Sequence, residues 1–144
     1  MTSIPEIDAV LTQFFHAVSF VAGQSPQYRN LWPLFLPNGQ LIKASEATPE
    51  ITSLEQFIAA RQQMVDAHVL TDFYEAEVSF TLEGFGHIAQ RLSVYEKSGT
   101  REGVPFTGKG KISTQLVYTP EGWKISSMTW DDERPGLTLW SHEE

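Results

Sequence analysis

The chain has 144 residues, 41% of them hydrophobic and 19% charged, enough to bury one core and too apolar for a disordered segment. It contains no cysteine, which rules out disulfides and thiolate chemistry and suits a reducing, cytoplasmic setting. Eighteen acidic residues against 10 basic ones give a net charge of −8, a surface that repels phosphate backbones and anionic lipid, so neither nucleic acid nor a membrane is the expected partner.

The opening MTSIPEIDAV has no basic flank or apolar stretch of the signal-peptide kind, and no apolar run reaches membrane-spanning length. Ser3 and Glu6 have the spacing of a capping box, and Ile7, Val10, Leu11, Phe14, Phe15 and Val18 follow as an apolar stripe at helical period. This predicts a first helix, ended by Gly23. Ser25-Pro26 reads as an N-cap with proline at the first helical position, opening a second helix that buries Leu31, Leu34 and Phe35. Pro37-Asn38-Gly39 is expected to stop it in a turn, with Leu41-Ile42 as a very short strand. A second capping box, Ser53 to Gln56, starts a third helix through Phe57, Ile58, Met64 and Val65.

From Leu70 the period changes to two. Tyr74, Ala76, Val78, Phe80 and Leu82 alternate with Glu75, Glu77, Ser79, Thr81 and Glu83, so one face is apolar and the other acidic or hydroxylic. Between Phe85 and Pro135 three further alternating runs return on one another, with 97–105 as a loop between two of them. The expected fold is a single α+β domain over 1–144, with three N-terminal helices packed in the concavity of a strongly curved, mostly antiparallel sheet.

That element order resembles the cone of nuclear transport factor 2 and ketosteroid isomerase, the NTF2-like or cystatin-like fold, and most closely its SnoaL-like and DUF4440-like branch. The residues that carry the resemblance are Leu34-Phe35 with Asn38-Gly39, the block GHIAQRLSVYE, and the closing GWKISSMTWDDERP. The resemblance implies a fold and no single activity, because isomerases, cyclases, dehydratases and binders share it. The positions it would assign to steroid-isomerase chemistry fall near Lys43, on Phe14, Phe15 or His16, and near Thr114, and none carries the required acid or phenol. Glu46, the nearest acid, reads as loop.

Within such a cone, inward parity is expected for Val78, Phe80, Ile88, Leu92, Ile112 and Leu116, which places Tyr74, Gln90 and Thr114 in the pocket. Tyr28 and Trp32 would line the mouth, with Met64, His68 and Trp130 completing the ligand pocket. Trp32 and Trp130 are equally readable as core aromatics, and a buried Gln90 amide as a structural hydrogen bond. His68 with Tyr74, and Asp66 or Asp72 to orient the imidazole, are the catalytic candidates, since histidine titrates near neutrality. Against that stands the commoner histidine exposed at a helix end. Asp66, His68 and His87 lack a metal-ligand spacing, and no metal or cofactor is expected. Asp131, Asp132 and Glu133 read as a solvated acidic run with Arg134 pairing locally. The opposite sheet face, with Ala89, Arg91, Ser93, Tyr95, Ser113 and Gln115, suits contact with a second copy, making a homodimer.

The leading functional expectation is a pocket protein for an apolar, cyclic small molecule. The alternatives are a cofactor-free isomerase, cyclase or dehydratase using His68 and Tyr74, and a protein-interaction module acting through the sheet face.

Overall fold

A computed structural model describes residues 4–140. The capping box expected at Ser3 lies outside the described residues. Helix α1 spans Ile4–Val18 and buries Ile7, Leu11, Phe14, Phe15 and Val18 as its stripe requires. It ends five residues before Gly23 because the chain leaves the helix to pair with the sheet. Phe20 exchanges backbone hydrogen bonds with Phe73 at 2.8 and 3.0 Å, and the Ser19 hydroxyl accepts from the Glu75 amide at 3.0 Å.

The second helix is a 3-10 helix, Tyr28–Leu34, flanked by Gln27 rather than capped by Ser25. Pro33 lies inside it and has no N–H to give an α-helical ladder. Strand β1 then runs Phe35–Lys43, much longer than the Leu41-Ile42 stub. Pro37-Asn38-Gly39 makes an outward fold inside this strand: Phe35 pairs with Ile125 and Gln40 already with Ser127. Gly39 is required there, because a Cβ would sit 2.9 Å from the Phe35 ring. Strand β2, Glu50–Ser53, pairs antiparallel with β1 and had no alternation to announce it. Helix α2, Leu54–Asp66, opens with the capping box formed as expected, Ser53 accepting from the Gln56 amide at 3.1 Å and Gln56 from the Ser53 amide at 2.9 Å.

The four long strands are β3 (Leu70–Phe85), β4 (Ile88–Arg101), β5 (Val104–Thr119) and β6 (Gly122–Asp132). The sheet order is β2-β1-β6-β5-β4-β3, antiparallel except for the β1–β6 pair. Helix α2 touches both β1 and β3, which three strands separate. Laid flat, those strands would stand about 19 Å apart, nearly twice the width of a helix, so the sheet must curl around it. This is the expected α+β architecture, two α-helices and a 3-10 helix in the concavity of one sheet.

The expected loop 97–105 is strand almost throughout. Only Glu102 and Gly103 turn, both at positive φ (52° and 78°), the signature of a type I′ hairpin. That turn fixes the register, and the register corrects the expected parity. Arg101 pairs with Val104, so Arg91 pairs with Thr114 and Gln90 with Gln115. Residues paired across a ladder share a face. Thr114, Ile112 and Leu116 are buried, hence Ala89, Arg91, Ser93 and Tyr95 are inside with them, while Ile88, Gln90 and Leu92 are on the outer face. In β3 an extra residue, Val78, sits between the pairs Glu77–Tyr95 and Ser79–Val94. This bulge swaps the faces, so Phe73, Glu75 and Glu77 point inward before it and Phe80 and Leu82 after it.

Candidate functional site

Two glycines on β5 make room for the polar centre of the cone. The Lys97 stem lies across Gly108, where a Cβ would approach it to 2.9 Å, and the Tyr95 ring lies across Gly110, where a Cβ would collide with the hydroxyl. Tyr95, fully buried, donates to the Asp132 carboxylate and Lys97 donates to the same oxygen at 2.9 Å. Burial, then the bond to Asp132, pushes the Tyr95 hydroxyl far above its usual range. Burial works the other way on Asp132, but the bonds from Tyr95 and Lys97 outweigh it and hold the carboxyl below its usual value. Asp132 is therefore a half-buried counter-ion, held by Tyr95 and Lys97 rather than left to solvent. Arg134 does pair locally, with Asp131 at 2.5 Å.

Glu75 faces Lys97 across the β3–β4 ladder. Burial pushes its carboxyl up to about 7, against the lowering pull of Arg61 and Lys97. No side-chain hydrogen bond holds that carboxyl among the described residues. Arg61, on α2, lays its guanidinium 4.8 Å from the Phe57 ring centre and 5.1 Å from that of Phe73. Beside it is Tyr28, 2% exposed. Burial raises the Tyr28 hydroxyl, and the neighbouring Arg61 guanidinium opposes the rise, both by its charge and by facing the phenol oxygen as a hydrogen-bond donor. The Tyr28 hydroxyl, Arg61 Nη1 and Thr114 Oγ1 are all buried with no hydrogen-bond partner among the described residues.

Glu75 and Phe73 also line a half-open groove of about 1200 Å3. Its other walls are the outer turns of α1 (Gln13, His16) and the segment 19–27, with Phe15 and Phe20 as apolar surface. A smaller groove of about 530 Å3 lies between Trp32, Pro37, Pro120 and Lys124.

The residues singled out from sequence scatter over these features. Tyr74 and Asp72 are on the groove wall, Tyr74 at 60% exposure. Tyr28 is in the core, Trp32 is half exposed beside the smaller groove, and Met64 and Trp130 pack partly buried against the core, Trp130 edge-on to Phe57 at 6.3 Å. Thr114 points inward and Gln90 outward, where it accepts from Gln115 at 3.4 Å. Exposed His68 follows α2 with φ 59° and lies outside the groove lining. Of the surface expected to meet a second copy, Gln115 is exposed and Ser113 half-buried on the outer face, while Ala89, Arg91, Ser93 and Tyr95 are interior. Sequence reasoning passed over Glu75, Arg61, Lys97 and Asp132. The signal was present in Gly108 and Gly110, alternating within a strand, which mark where other side chains cross.

No helix among the described residues is long and apolar enough to cross a membrane. No family model matches the chain, and neither does any curated protein. Solved structures do match. The chain is similar to an NTF2-like superfamily protein from Salmonella enterica serovar Typhimurium, with a TM-score of 0.75, 12% identity and 96% of each chain covered. It is similar to the hexachlorocyclohexane dehydrochlorinase LinA-type3 from Novosphingobium barchaimii, with a TM-score of 0.73 and 12% identity over 97% of this chain and 92% of that one. A protein with a cystatin-like fold from Caulobacter vibrioides matches with a TM-score of 0.69 and 12% identity over 92% and 90%. The chain has the NTF2-like, cystatin-like cone fold.

Proposed function

We propose that the chain is a small-molecule-binding cone protein of the cytoplasm whose ligand, apolar and cyclic, lies in the groove between α1, segment 19–27 and the first half of β3. The observation that carries this reading is the groove itself, about 1200 Å3 with Phe15, Phe20 and Phe73 on its walls and Glu75 at its inner side. Concave sites that pair apolar walls with placed polar groups are how folds hold small ligands. The Novosphingobium protein of the same fold is named for a cyclic, apolar substrate.

The test is titration with the neutral fluorophore N-phenyl-1-naphthylamine, alongside native mass spectrometry of the purified protein. One probe per chain is expected, with at least tenfold weaker binding to Ala22→Trp, which fills the groove from an exposed position. Unsaturable binding, or equal binding to both proteins, would remove the reading.

A second reading is favoured by Glu75, whose carboxyl titrates at about 7 beside the same groove. It is a cofactor-free isomerase, cyclase or dehydratase in which Glu75, rather than His68, exchanges the proton, with Tyr74 on the same wall. Turnover of a cyclic substrate lost in Glu75→Gln and kept in His68→Gly would support it. Contact with a second copy would use the outer face, where Ile88 (58% exposed) and Leu92 (38%) flank Gln90. A monomer in sedimentation at micromolar concentration would exclude that partner.

A further inference from the structure

The groove is lined by one sign of fixed charge. Asp72, Glu75 and Glu77 stand on its β3 wall, and no lysine or arginine among the described residues lines it. Helix α1 ends at the same place, with Ala17 and Ser19 in the lining, so the negative end of its dipole adds to the field. The three acids are not equivalent. Glu77 is spent on Arg91 and Ser93, whereas the side chains of Asp72 and Glu75 make no hydrogen bond among the described residues.

Glu75 is also open to the groove. The polar side-chain atoms sealed in without a hydrogen bond of normal geometry are the Tyr28 hydroxyl, Arg61 Nη1 and Thr114 Oγ1, and the Glu75 oxygens are not among them. Unsealed oxygens on a half-buried residue meet solvent, and the solvent beside Glu75 is in the groove. Behind Glu75, Arg61 and Lys97 act on it by charge alone, and Lys97 donates to Asp132 at 2.9 Å. A group that satisfies the Glu75 oxygens must be a donor.

Charge narrows the class. Around this wall the carboxylates Asp8, Asp72, Glu75, Glu77 and Asp132 outnumber the cations Arg61, Arg91 and Lys97. Phe15, Phe20 and Phe73 supply apolar surface whose ring faces attract an ammonium as well. We infer that the groove's ligand is a protonated amine carried on an apolar ring body, with Glu75 as its counter-ion. The inference rests on the groove being a ligand site.

Glu75 pairs with a cation only when ionised. The groups around it are Arg61 from α2, Lys97 and Tyr95 from β4 and Asp132 from β6, with Asp72 and Glu77 on its own strand and His16 on the α1 side of the groove. Its carboxyl titrates at about 7 in the free chain. A ligand that takes the anion should therefore gain about tenfold in affinity from pH 6 to pH 8, and should release about one proton on binding at pH 6.

The experiment compares 2-naphthylmethylamine, a cation throughout this range, with the neutral 2-naphthylmethanol by calorimetry in buffers of different ionisation enthalpy. At pH 8 the amine should bind at least about tenfold more tightly than the alcohol, as a charge-assisted hydrogen bond requires. In Glu75→Gln the preference, the pH dependence and the proton release should all disappear, with alcohol binding unchanged. His16→Gln should keep all three, which assigns the titration to Glu75. If amine and alcohol bind alike, and Ala22→Trp blocks both, the groove stands and the counter-ion is overturned. A preference that survives in Glu75→Gln overturns it equally. If neither probe binds, both readings fall.

Discussion

The interior holds two arginines beside two β3 carboxylates placed two positions apart, and the two sites are built to opposite standards. Arg91 is 2% exposed and fully occupied: it donates to Glu77 at 3.0 and 2.5 Å, to Asp8 at 2.5 Å, and covers the Phe80 ring at 3.6 Å. Ser93 donates to the same Glu77 at 2.5 Å. Burial alone would lower the Arg91 pKa, yet its bonds to Glu77 and Asp8 raise it. Arg61 has aromatic neighbours too, but Glu75 beside it is held by no side-chain hydrogen bond and Nη1 is unpartnered among the described residues. A saturated ion cluster is a clamp, here pinning α1 to the sheet through Asp8. An unsaturated one has capacity left for something that arrives.

The comparison breaks most visibly at Arg91. Arg91→Ala leaves Glu77 buried without its cation and should cost about 3–5 kcal/mol in urea unfolding. Arg61→Met, similar in shape and removing only a loosely matched charge, should stay within about 1 kcal/mol. Equal losses would mean that both clusters are structural.

Much of the fold was legible because it rests on periods and caps. The α1 stripe, the Ser53 capping box and the long alternating runs are local chemistry, and each formed where its residues indicated. The pocket depended on parity, which is not local. One turn residue more or less between Arg101 and Val104 would reverse which β4 side chains meet Thr114. Likewise the unbroken alternation from Tyr74 to Leu82 conceals the bulge at Val78, so Glu75 and Glu77 read as a solvated face and are interior. Asp132 looked like one acid in a run of three, and only Tyr95 crossing Gly110 shows what holds it.

Glu75 sharpens the comparison through pH. Its carboxyl titrates at about 7 in the folded chain against 4.5 in the open one, so the native state holds this proton more tightly. The stability that goes with it is complete below pH 4.5 and is lost as pH rises towards and through 7. Glu75→Gln removes the charging step. The variant should therefore match the native protein near pH 4 and exceed it by about 1–3 kcal/mol at pH 8, measured as unfolding free energy at both pH values. A Glu75→Gln chain that is less stable at pH 8 would show that Arg61 and Lys97 need the anion, placing Glu75 in the saturated class with Glu77.

The smallest expected effect concerns a residue outside both clusters. His68 closes α2 in a left-handed conformation, φ 59°, with its amide donating to the Val65 carbonyl at 3.0 Å and the Val69 amide to that of Met64 at 2.9 Å. That pair of bonds is the Schellman arrangement, in which this position favours glycine because a Cβ crowds the backbone. The histidine is thus placed by helix termination, away from the groove, and its imidazole is not what the local structure requires. His68→Gly should raise stability by up to about 1 kcal/mol, seen as a higher midpoint in urea with unchanged slope, and leave N-phenyl-1-naphthylamine affinity where it was. Loss of affinity in a stabilised His68→Gly chain would bring the imidazole into the site beside Glu75.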